Sequence, residues 1–391
     1  MRVLWILSVD PARPPDGQLT YSLALIKALA ASGVDVTVVH LGARAPDWAT
    51  EYPIVWRPAG TANRNRLGSV VSRLPAMAYT AGSPEFRRVL GRELTHSWDA
   101  VVVDHVQSGW AMGLLASHRS TAVVHVSHND ERTVRRRVAS GTSATPATRV
   151  VLELDARKVA TLEDRILRGA DIVTTITDED AAAFRARGST RSPIVLSPGY
   201  SGVRLAHREI VDAVPRRAVI AGSMLWRVKQ FDLLALLRVA DPRFAAAGAE
   251  IVVIGEAPPE FAAEILGLTT VTKMLGRLDS FAGAFAGARV ALVSEPHGGG
   301  FKLKTLDYVF QRVPMFVQTG SVSGLSLENG TGIAEYATTE ALVDGALRTL
   351  DDFATLNGLQ NEAYARCEPV FDWATRGAQL RDAIAEADAR K

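Results

Sequence analysis

The sequence predicts an α/β protein built from two doubly wound parallel sheets, and three observations support this. Short apolar runs alternate with longer helical patterns, which is typical of parallel sheets. The 391 residues exceed what one hydrophobic core usually organises. The alternation lapses once, in a stretch that contains Pro198, Gly199, Gly202 and Pro215. We therefore predict domains at 1–200 and 217–368, a linker at 201–216 and a terminal segment at 369–391.

The first predicted domain opens with a βαβ pattern. Apolar runs at 3–9 and 34–41 flank a helical pattern at 18–31. Further strands are predicted at 100–103, 122–126, 172–176 and 194–196, with a long helix at 147–168. No apolar run is long enough to span a bilayer, so any membrane contact is expected to be peripheral.

The second predicted domain repeats the alternation. Strands are predicted at 218–221, 251–254, 271–274 and 290–293. Helices are predicted from about residue 230, at 260–266, 280–286 and 339–351, and from Trp373 onward. Two similar α/β domains follow from this pattern.

Composition narrows the class of protein. Apolar residues make up 47% of the chain and charged residues 22%, which describes an ordinary globular protein. The net charge of +2 shows no global signature of a polyanion binder, and we interpret the basic run Arg135 to Arg137 as a solvated helix face. The single cysteine, Cys367, excludes an intrachain disulfide framework and a Cys-rich zinc site. A reducing compartment is expected, and hence a cytoplasmic location.

A glycine-rich loop carries the clearest chemical signal. Gly298, Gly299 and Gly300 follow an apolar strand and precede a predicted helix that carries Lys302, Lys304 and Asp307. Glycines let the backbone approach an anion, a helix start offers unpaired N–H groups, and lysines add full charges. This order predicts a site for a phosphorylated ligand. The alternative is a surface loop that enters an amphipathic helix with solvated lysines.

The segment GGGFKLKTLDYVFQRVPMFV resembles the donor-site motif of retaining glycosyltransferases of the GT-B fold, in particular the family 4-like group. The resemblance implies that Asp307 grips the ribose of a nucleotide and that Lys304 belongs to the donor site. Two departures stand out. Gly299 occupies the position of the family's first acidic residue, and Asp307 is one methylene shorter than the usual Glu.

The segment VIAGSMLWRVKQFD resembles the pyrophosphate clamp of the same family, where an arginine and a lysine follow the first strand of the donor domain. Lys229 matches the lysine, whereas Ser223 takes the place of the arginine. Arg227 is a candidate for the missing charge. GSMLW is also similar to the Gly-Ser-Met-x-Trp form of one subgroup.

In the first domain, VVHVSHNDE places His125, His128, Asn129 and Glu131 at the exit of a strand, where parallel sheets bind ligands. His128, Asn129 and Glu131 resemble a His-Asn-x-Glu motif of the same subgroup. The resemblance implies that His128 faces the donor sugar, with His125 as second choice.

Two other kinds of site, for a dinucleotide and for a metal, fit the sequence less well. The first turn holds Gly17 alone and lacks the G-x-G-x-x-G fingerprint of dinucleotide binding. Gly17 either lets this loop approach substrate or simply opens a helix. The histidines lack the helix spacing of zinc sites, and the run Asp178 to Asp180 fits an acidic helix start, so no metal is expected.

Taken as a whole, the resemblance implies two Rossmann-like domains that face each other across a cleft, with FDWATRGAQL opening a helix that crosses back to the first domain. It implies metal-independent sugar transfer with retention, from a nucleotide-diphosphate sugar to a hydroxyl acceptor, with His128, Lys229 and Asp307 as the catalytic residues. No further cofactor is expected. The acceptor is left open among glycan, lipid, natural product and nucleic acid, and the Arg- and Ala-rich composition suggests a bacterial source.

Two alternatives stay open. Gly299 and Ser223 replace charged residues of the family pattern, which also suits a catalytically degenerate binding or partner subunit. An epimerase of the same fold, which acts on the nucleotide sugar without an acceptor, is the other.

Overall fold

The computed structural model describes residues 1–14, 16–62, 64–118, 120–141, 145–189, 191–296, 300–325 and 327–390. The chain forms two compact units. The first comprises Met1–Gly199 and Asp372–Lys391, and the second comprises Tyr200–Phe371. Residues 201–216, predicted as a linker, therefore lie in the second unit.

The first unit alternates strands and helices. Its elements are β1 (Arg2–Leu7), α1 (Gly17–Ala31), β2 (Asp35–His40), β3 (Ile54–Pro58), α2 (Gly68–Val71), α3 (Ala76–Ala81), α4 (Pro84–Glu93), β4 (Ala100–Asp104), α5 (Met112–Leu115), β5 (Ala122–Val126), α6 (Glu131–Gly141), α7 (Pro146–Gly169), β6 (Ile172–Thr175), α8 (Asp178–Ala186) and β7 (Ile194–Val195). Short 3-10 helices span Ala49–Glu51 and Val106–Ala111.

The second unit continues in the same manner. Its elements are β8 (Arg217–Ala221), α9 (Arg227–Ala246), β9 (Glu250–Ile254), α10 (Pro259–Leu268), β10 (Thr272–Met274), α11 (Ala282–Ala286), β11 (Val290–Val293), α12 (Lys304–Phe310), β12 (Met315–Gln318), β13 (Glu328–Asn329), β14 (Gly332–Tyr336), α13 (Thr339–Thr349) and α14 (Phe353–Cys367). The last helix, α15 (Trp373–Asp388), belongs to the first unit.

The first sheet has the strand order β3-β2-β1-β4-β5-β6-β7, and its pairs are parallel. Strands β4 and β5 are buried along their whole length. Valine-rich runs such as AVVVD suit this position, because a parallel strand covered by helices on both faces has no solvent side. The register of β4 and β5 places Val103 opposite His125 and Asp104 opposite Val126.

Helix α15 packs closely on α1. A side chain at Gly377 would overlap the carbonyl oxygen of Ala28, so the close approach of the two helices requires glycine there. Asp372 caps α15 by accepting the N–H of Thr375 at 2.8 Å. The Arg376 guanidinium donates to the carbonyl oxygen of Ser197 at 2.8 Å and so ties α15 to the end of the segment after β7.

The second sheet has the order β10-β9-β8-β11-β12-β14-β13. The predicted linker packs against this unit: Arg208 donates to the carbonyl oxygen of Arg312 at 2.7 Å, and Ile210 donates its N–H to Asn357 Oδ1 at 2.9 Å. The buried guanidinium of Arg289 donates to the carbonyl oxygen of Val214 at 2.8 Å. Proline and glycine break the helical and strand periodicity of this segment without detaching it from the core.

The predicted α/β fold with parallel sheets is confirmed. The strands expected at 122–126 and 290–293 have those bounds in the structure. The prediction passed over β3, α2 to α4, β14 and α14. The helix after the glycine-rich loop begins only at Lys304, so Lys302 precedes it. In the part of the chain that the structure describes, no helix is both long and apolar enough to cross a membrane.

Candidate active site

In the first unit, polar side chains gather where β4 and β5 end. Asp104 is the last residue of β4, and His128 follows β5 by two residues. Because these strands are parallel neighbours, their carboxyl ends meet. His128 Nε2 lies 2.7 Å from Asp104 Oδ1, and the indole N–H of Trp5 donates to Asp104 Oδ2 at 2.9 Å.

The carboxylate of Asp104 holds the imidazole of His128 in place. Both side chains are buried. Burial alone would raise the pKa of Asp104, but hydrogen bonds from His128, Trp5 and Ser22 outweigh it and keep the pKa below its usual value. The Tyr21 ring packs edge-on against His128 at 5.2 Å between centroids. His128 is therefore oriented by a charged partner and by packing.

Glu131 forms a second buried polar group beside this pair. Its Oε1 lies 3.2 Å from His105 Nε2 and accepts a hydrogen bond from Asn129 Nδ2 at 3.3 Å, and its Oε2 accepts from Arg135 Nε at 3.2 Å. Burial would raise the pKa of Glu131, yet His105, Arg135 and Asn129 together lower it to about 2. The rings of His105 and His128 lie 5.3 Å apart, so the two groups adjoin.

His105 adopts a backbone conformation that is uncommon for a residue with a side chain, with φ of 61° directly after β4. Its Nδ1 accepts the N–H of Gln107 at 3.2 Å. Strained backbone that neighbouring contacts stabilise is concentrated at functional sites. The strain at His105 marks this strand exit as a candidate site independently of any motif.

His125 differs from His128 in its surroundings. It lies inside β5, fully buried, with Nδ1 3.0 Å from the carbonyl oxygen of Val103. Burial lowers the pKa of His125 to about 4, so its ring is neutral at pH 7. This placement favours a structural role for His125.

The start of α6, which carries Glu131, is supported by a buried acid. Glu163 on α7 accepts the N–H of Glu131 at 2.9 Å, and the Arg187 guanidinium lies 2.7 Å from both Glu163 and Asp130. A carboxylate at a helix N-terminus satisfies N–H groups that lack partners within the helix. The position of Glu131 is therefore set by a network as well as by its own contacts.

Gly17 and the acidic run both lie at helix starts. Gly17 is the exposed first residue of α1, which Asp16 caps by accepting the N–H of Leu19 at 2.9 Å. Asp178 to Asp180 form the first turn of α8, capped by Thr177. The second arrangement agrees with the acidic helix start expected from the sequence. Among the residues that the structure describes, no group of three His, Cys, Asp or Glu side chains is placed to hold a metal ion.

In the second unit, the neighbouring strands β8 and β11 bring two segments together. Gly222 directly follows β8, and Glu295 follows β11 by two residues. A Cβ atom at Gly222 would lie 3.6 Å from Lys304 Nζ. Gly222 and Gly255 both have positive φ, and a side chain at Gly255 would overlap the carbonyl oxygen of Gly222. The backbone after β8 therefore lies close to β9 and to the lysine.

Three lysines surround the carboxylate of Glu295. Lys304 forms an ion pair with Glu295 Oε1, and Lys302 Nζ lies 3.7 Å from Oε2. The side chains of Glu295, Lys302 and Lys304 are mostly buried. Burial would raise the pKa of Glu295, but Lys304, Lys229 and Lys302 lower it to about 2. This lysine cluster (Lys229, Lys302 and Lys304 around Glu295) carries net positive charge and is suited to an anion.

The other predicted donor-site residues lie near the same strand exits. Ser223 is exposed and its Oγ accepts the N–H of Leu225 at 3.5 Å, while Arg227 is the exposed first residue of α9. Helix α9 begins without a side-chain cap, so its first N–H groups are available to a ligand. Gly300 has φ of 71°. Gly298 and Gly299 lie outside the described residues.

Asp307 has a partner other than the lysine cluster. Tyr200 hydrogen-bonds to its carboxylate, and burial raises the pKa of Asp307 to about 6 despite that bond. Burial, and after it the Asp307 carboxylate, raise the pKa of the Tyr200 phenol. Asp307 is thus a carboxylate whose charge changes close to neutral pH.

Sequence reasoning missed three residues of these groups: Asp104, His105 and Glu295. Each lies within two residues of the end of a predicted strand, which is the signal that could have identified it. The motif comparison pointed to Gly299 for the first acidic residue, whereas the structure places Glu295 beside the lysines.

The architecture of the two units, each with a parallel seven-stranded sheet, is that of GT-B glycosyltransferases. Residues 16–199 match the family described as Glycosyl transferase 4-like domain. No curated protein matches the chain.

Solved structures of three proteins illustrate the similarity of fold. Sucrose-phosphate synthase from Thermosynechococcus elongatus is 19% identical with a TM-score of 0.74 and covers 100% of both chains. HepE from Anabaena, in complex with UDP and glucose, is 13% identical with a TM-score of 0.69 and covers 99% of this chain and 100% of its own. A glycosyltransferase from Rickettsia africae is 9% identical with a TM-score of 0.68, covering 99% and 98%.

Proposed function

We propose that this protein is a retaining glycosyltransferase that moves a sugar from a nucleotide-diphosphate donor to a hydroxyl acceptor. The observation that carries the proposal is the lysine cluster at the exits of β8 and β11. The 4-like domain match and the binding of UDP and glucose by HepE support it.

In this proposal the lysine cluster binds the diphosphate. Glu295 holds the side chains of Lys302 and Lys304 through ion pairs, and the three lysines of the cluster outnumber this one acid. The uncapped start of α9 supplies further N–H donors beside Lys229. Phosphate oxygens would gain charge-assisted hydrogen bonds from both.

The reaction breaks the bond between the anomeric carbon and the phosphate oxygen and forms a bond from that carbon to the acceptor oxygen on the same face. The electron pair of the broken bond stays on the diphosphate, which takes the acceptor's proton. Lys229, Lys302 and Lys304 stabilise the negative charge that develops there. They provide the positive charge for which other transferases use a divalent cation, so we propose transfer without a metal.

His128 and Asp307 have positioning and binding roles in this proposal. The Asp104 carboxylate, 2.7 Å from Nε2, fixes the imidazole so that its other nitrogen can bond a sugar hydroxyl. Asp307, an ionisable acid beside Tyr200, would accept hydrogen bonds from the ribose hydroxyls. The acceptor in this proposal is a hydroxyl compound.

The test is a panel of UDP-, GDP- and dTDP-sugars with mixed hydroxyl acceptors, analysed by mass spectrometry in the presence of EDTA. We expect product from the wild type and a loss of at least a hundredfold in Lys229→Ala and Asp307→Ala. Lys273→Ala, an exposed lysine in the same unit, serves as the control and should match the wild type. Undiminished transfer in both site variants would refute the assignment.

A catalytically inert binding subunit is the second candidate, because Glu295 neutralises part of the lysine charge and Ser223 stands in place of an arginine. Calorimetry separates the two. Heat on adding UDP or GDP, with no product from any donor, would support the inert subunit. Conversion of a nucleotide sugar in the absence of an acceptor would instead indicate an epimerase.

Retention at the anomeric carbon is tested separately, by proton NMR of the anomeric signal of the transfer product.

A further inference from the structure

The first unit exposes a group of apolar side chains at α2. Leu67, Val70 and Val71 are 75%, 55% and 91% exposed. Single exposed apolar residues are ordinary, but three within five positions form a patch that water solvates poorly. Neighbouring Arg66 and Arg73 are also exposed.

A second exposed apolar stripe lies on α7. Val150, Val151 and Leu154 are 56%, 51% and 46% exposed, and their spacing puts them on one side of the helix. Lys158, one turn beyond Leu154, donates to the carbonyl oxygens of Ser69 at 2.8 Å and Val70 at 2.9 Å. The stripe on α7 therefore adjoins the patch at α2, and we call the two together the apolar face.

Basic side chains flank the apolar face. A groove of about 420 Å³ between α6 and α7 is lined by residues that include Arg136 and Arg157, with Glu153 as its acid. Arg132 also lines it, but its guanidinium pairs with Asp164 at 3.2 Å. Arg149 is exposed beside Val150. The other acid of this α7 segment, Asp155, accepts the N–H of Ala76 at 2.7 Å. Positive charge thus exceeds negative charge around the apolar face, although the whole chain carries only +2.

We propose that the apolar face and its arginines bind the surface of an anionic lipid bilayer. The combination suits a membrane interface: valine and leucine side chains enter the boundary of the acyl chains while arginines meet lipid phosphates. A nucleic acid or soluble polyanion would use the arginines but would leave six apolar side chains in water. The basic run on α6, interpreted from sequence as merely solvated, then has a partner. This inference does not depend on sugar transfer.

Vesicle co-sedimentation tests the proposal with the full chain and no donor. We expect binding to vesicles of phosphatidylglycerol and phosphatidylcholine, weakened in 0.5 M NaCl, and little binding to phosphatidylcholine alone. Leu67→Ser with Val71→Ser should weaken binding at least tenfold, because both side chains would lose apolar burial. Arg136→Gln with Arg157→Gln should weaken it roughly 25-fold, about fivefold for each charge near an anionic surface.

Matched controls lie in the second unit. Val203→Ser removes a side chain that is 72% exposed, and Arg238→Gln removes an exposed arginine. Both should bind vesicles within about twofold of the wild type. Failure to bind anionic vesicles at millimolar lipid would overturn the proposal. The proposal would also be overturned if the arginine variant lost binding while the apolar variant kept it, since that pattern indicates a site for a soluble polyanion. Circular dichroism confirms that each variant is folded.

Discussion

Replacing Glu295 with Gln tests the lysine cluster most directly, because the change removes the central charge and keeps the shape. The carboxylate forms an ion pair with Lys304 and lies 3.7 Å from Lys302 Nζ. Its backbone N–H donates to Ser321 Oγ at 2.8 Å, and that bond is unaffected by the substitution. The variant therefore leaves buried ammonium groups without their counter-charge.

The expected loss of stability in Glu295→Gln follows from the pKa of Glu295. The lysines lower it from 4.5 to about 2, and one pKa unit is worth about 1.4 kcal/mol, so the carboxylate's charge stabilises the fold by about 3 kcal/mol at pH 7. Because the folded pKa lies below the unfolded one, this stabilisation is complete above about pH 4.5 and is lost as the pH falls towards 2. Burial lowers the pKa of Lys302, which shows that burying this ammonium group costs free energy. The value of about 3 kcal/mol is therefore the cost of removing the acid and is not the net contribution of the whole cluster to stability.

Urea unfolding at pH 7 is the assay. Glu295→Gln should lower the free energy of unfolding by about 3 kcal/mol, and the difference from wild type should shrink as the pH is lowered towards 3. Saturating UDP should stabilise the variant more than the wild type, because phosphate then replaces the missing counter-charge. Glu264→Gln, an exposed acid on α10, is the control. The reasoning would be refuted if Glu295→Gln were as stable as the wild type at pH 7, or if UDP stabilised the two proteins equally.

Asp104→Asn should lower kcat roughly tenfold or more with little change in the donor KM, because His128 loses its orienting charge. Steady-state kinetics measure both constants, and an unchanged kcat would contradict this prediction. The donor KM of the wild type should rise as the pH falls below about 6, where Asp307 becomes protonated. Asp307→Asn should have a raised donor KM that does not change with pH. A wild-type donor KM that is independent of pH would exclude the ribose role. Arg187→Met should lower the free energy of unfolding by about 3 to 5 kcal/mol, since Glu163 and Asp130 lose their shared cation. Urea unfolding measures this change, and a loss of less than about 1 kcal/mol would contradict the prediction.

The alternation of valine-rich runs with helical patterns was enough to predict the parallel α/β fold, because burial on both faces leaves a local trace in composition. Lys302 and Lys304 could also be singled out from sequence, since residue type and position after a glycine-rich loop are local properties, and Lys229 was singled out by resemblance to the family's pyrophosphate clamp. Elements such as β3 and α14 were missed because their local pattern is weak and tertiary packing stabilises them.

Sequence alone determined which residue types stand near strand ends, whereas the tertiary structure decided which of them meet. Asp104 and His128 are 24 positions apart and pair because β4 and β5 are neighbours in the first sheet. Glu295 meets Lys304 because β11 ends beside the exit of β8, where the Lys304 side chain also lies. The order of strands in a sheet depends on packing between distant segments, and no local periodicity encodes it.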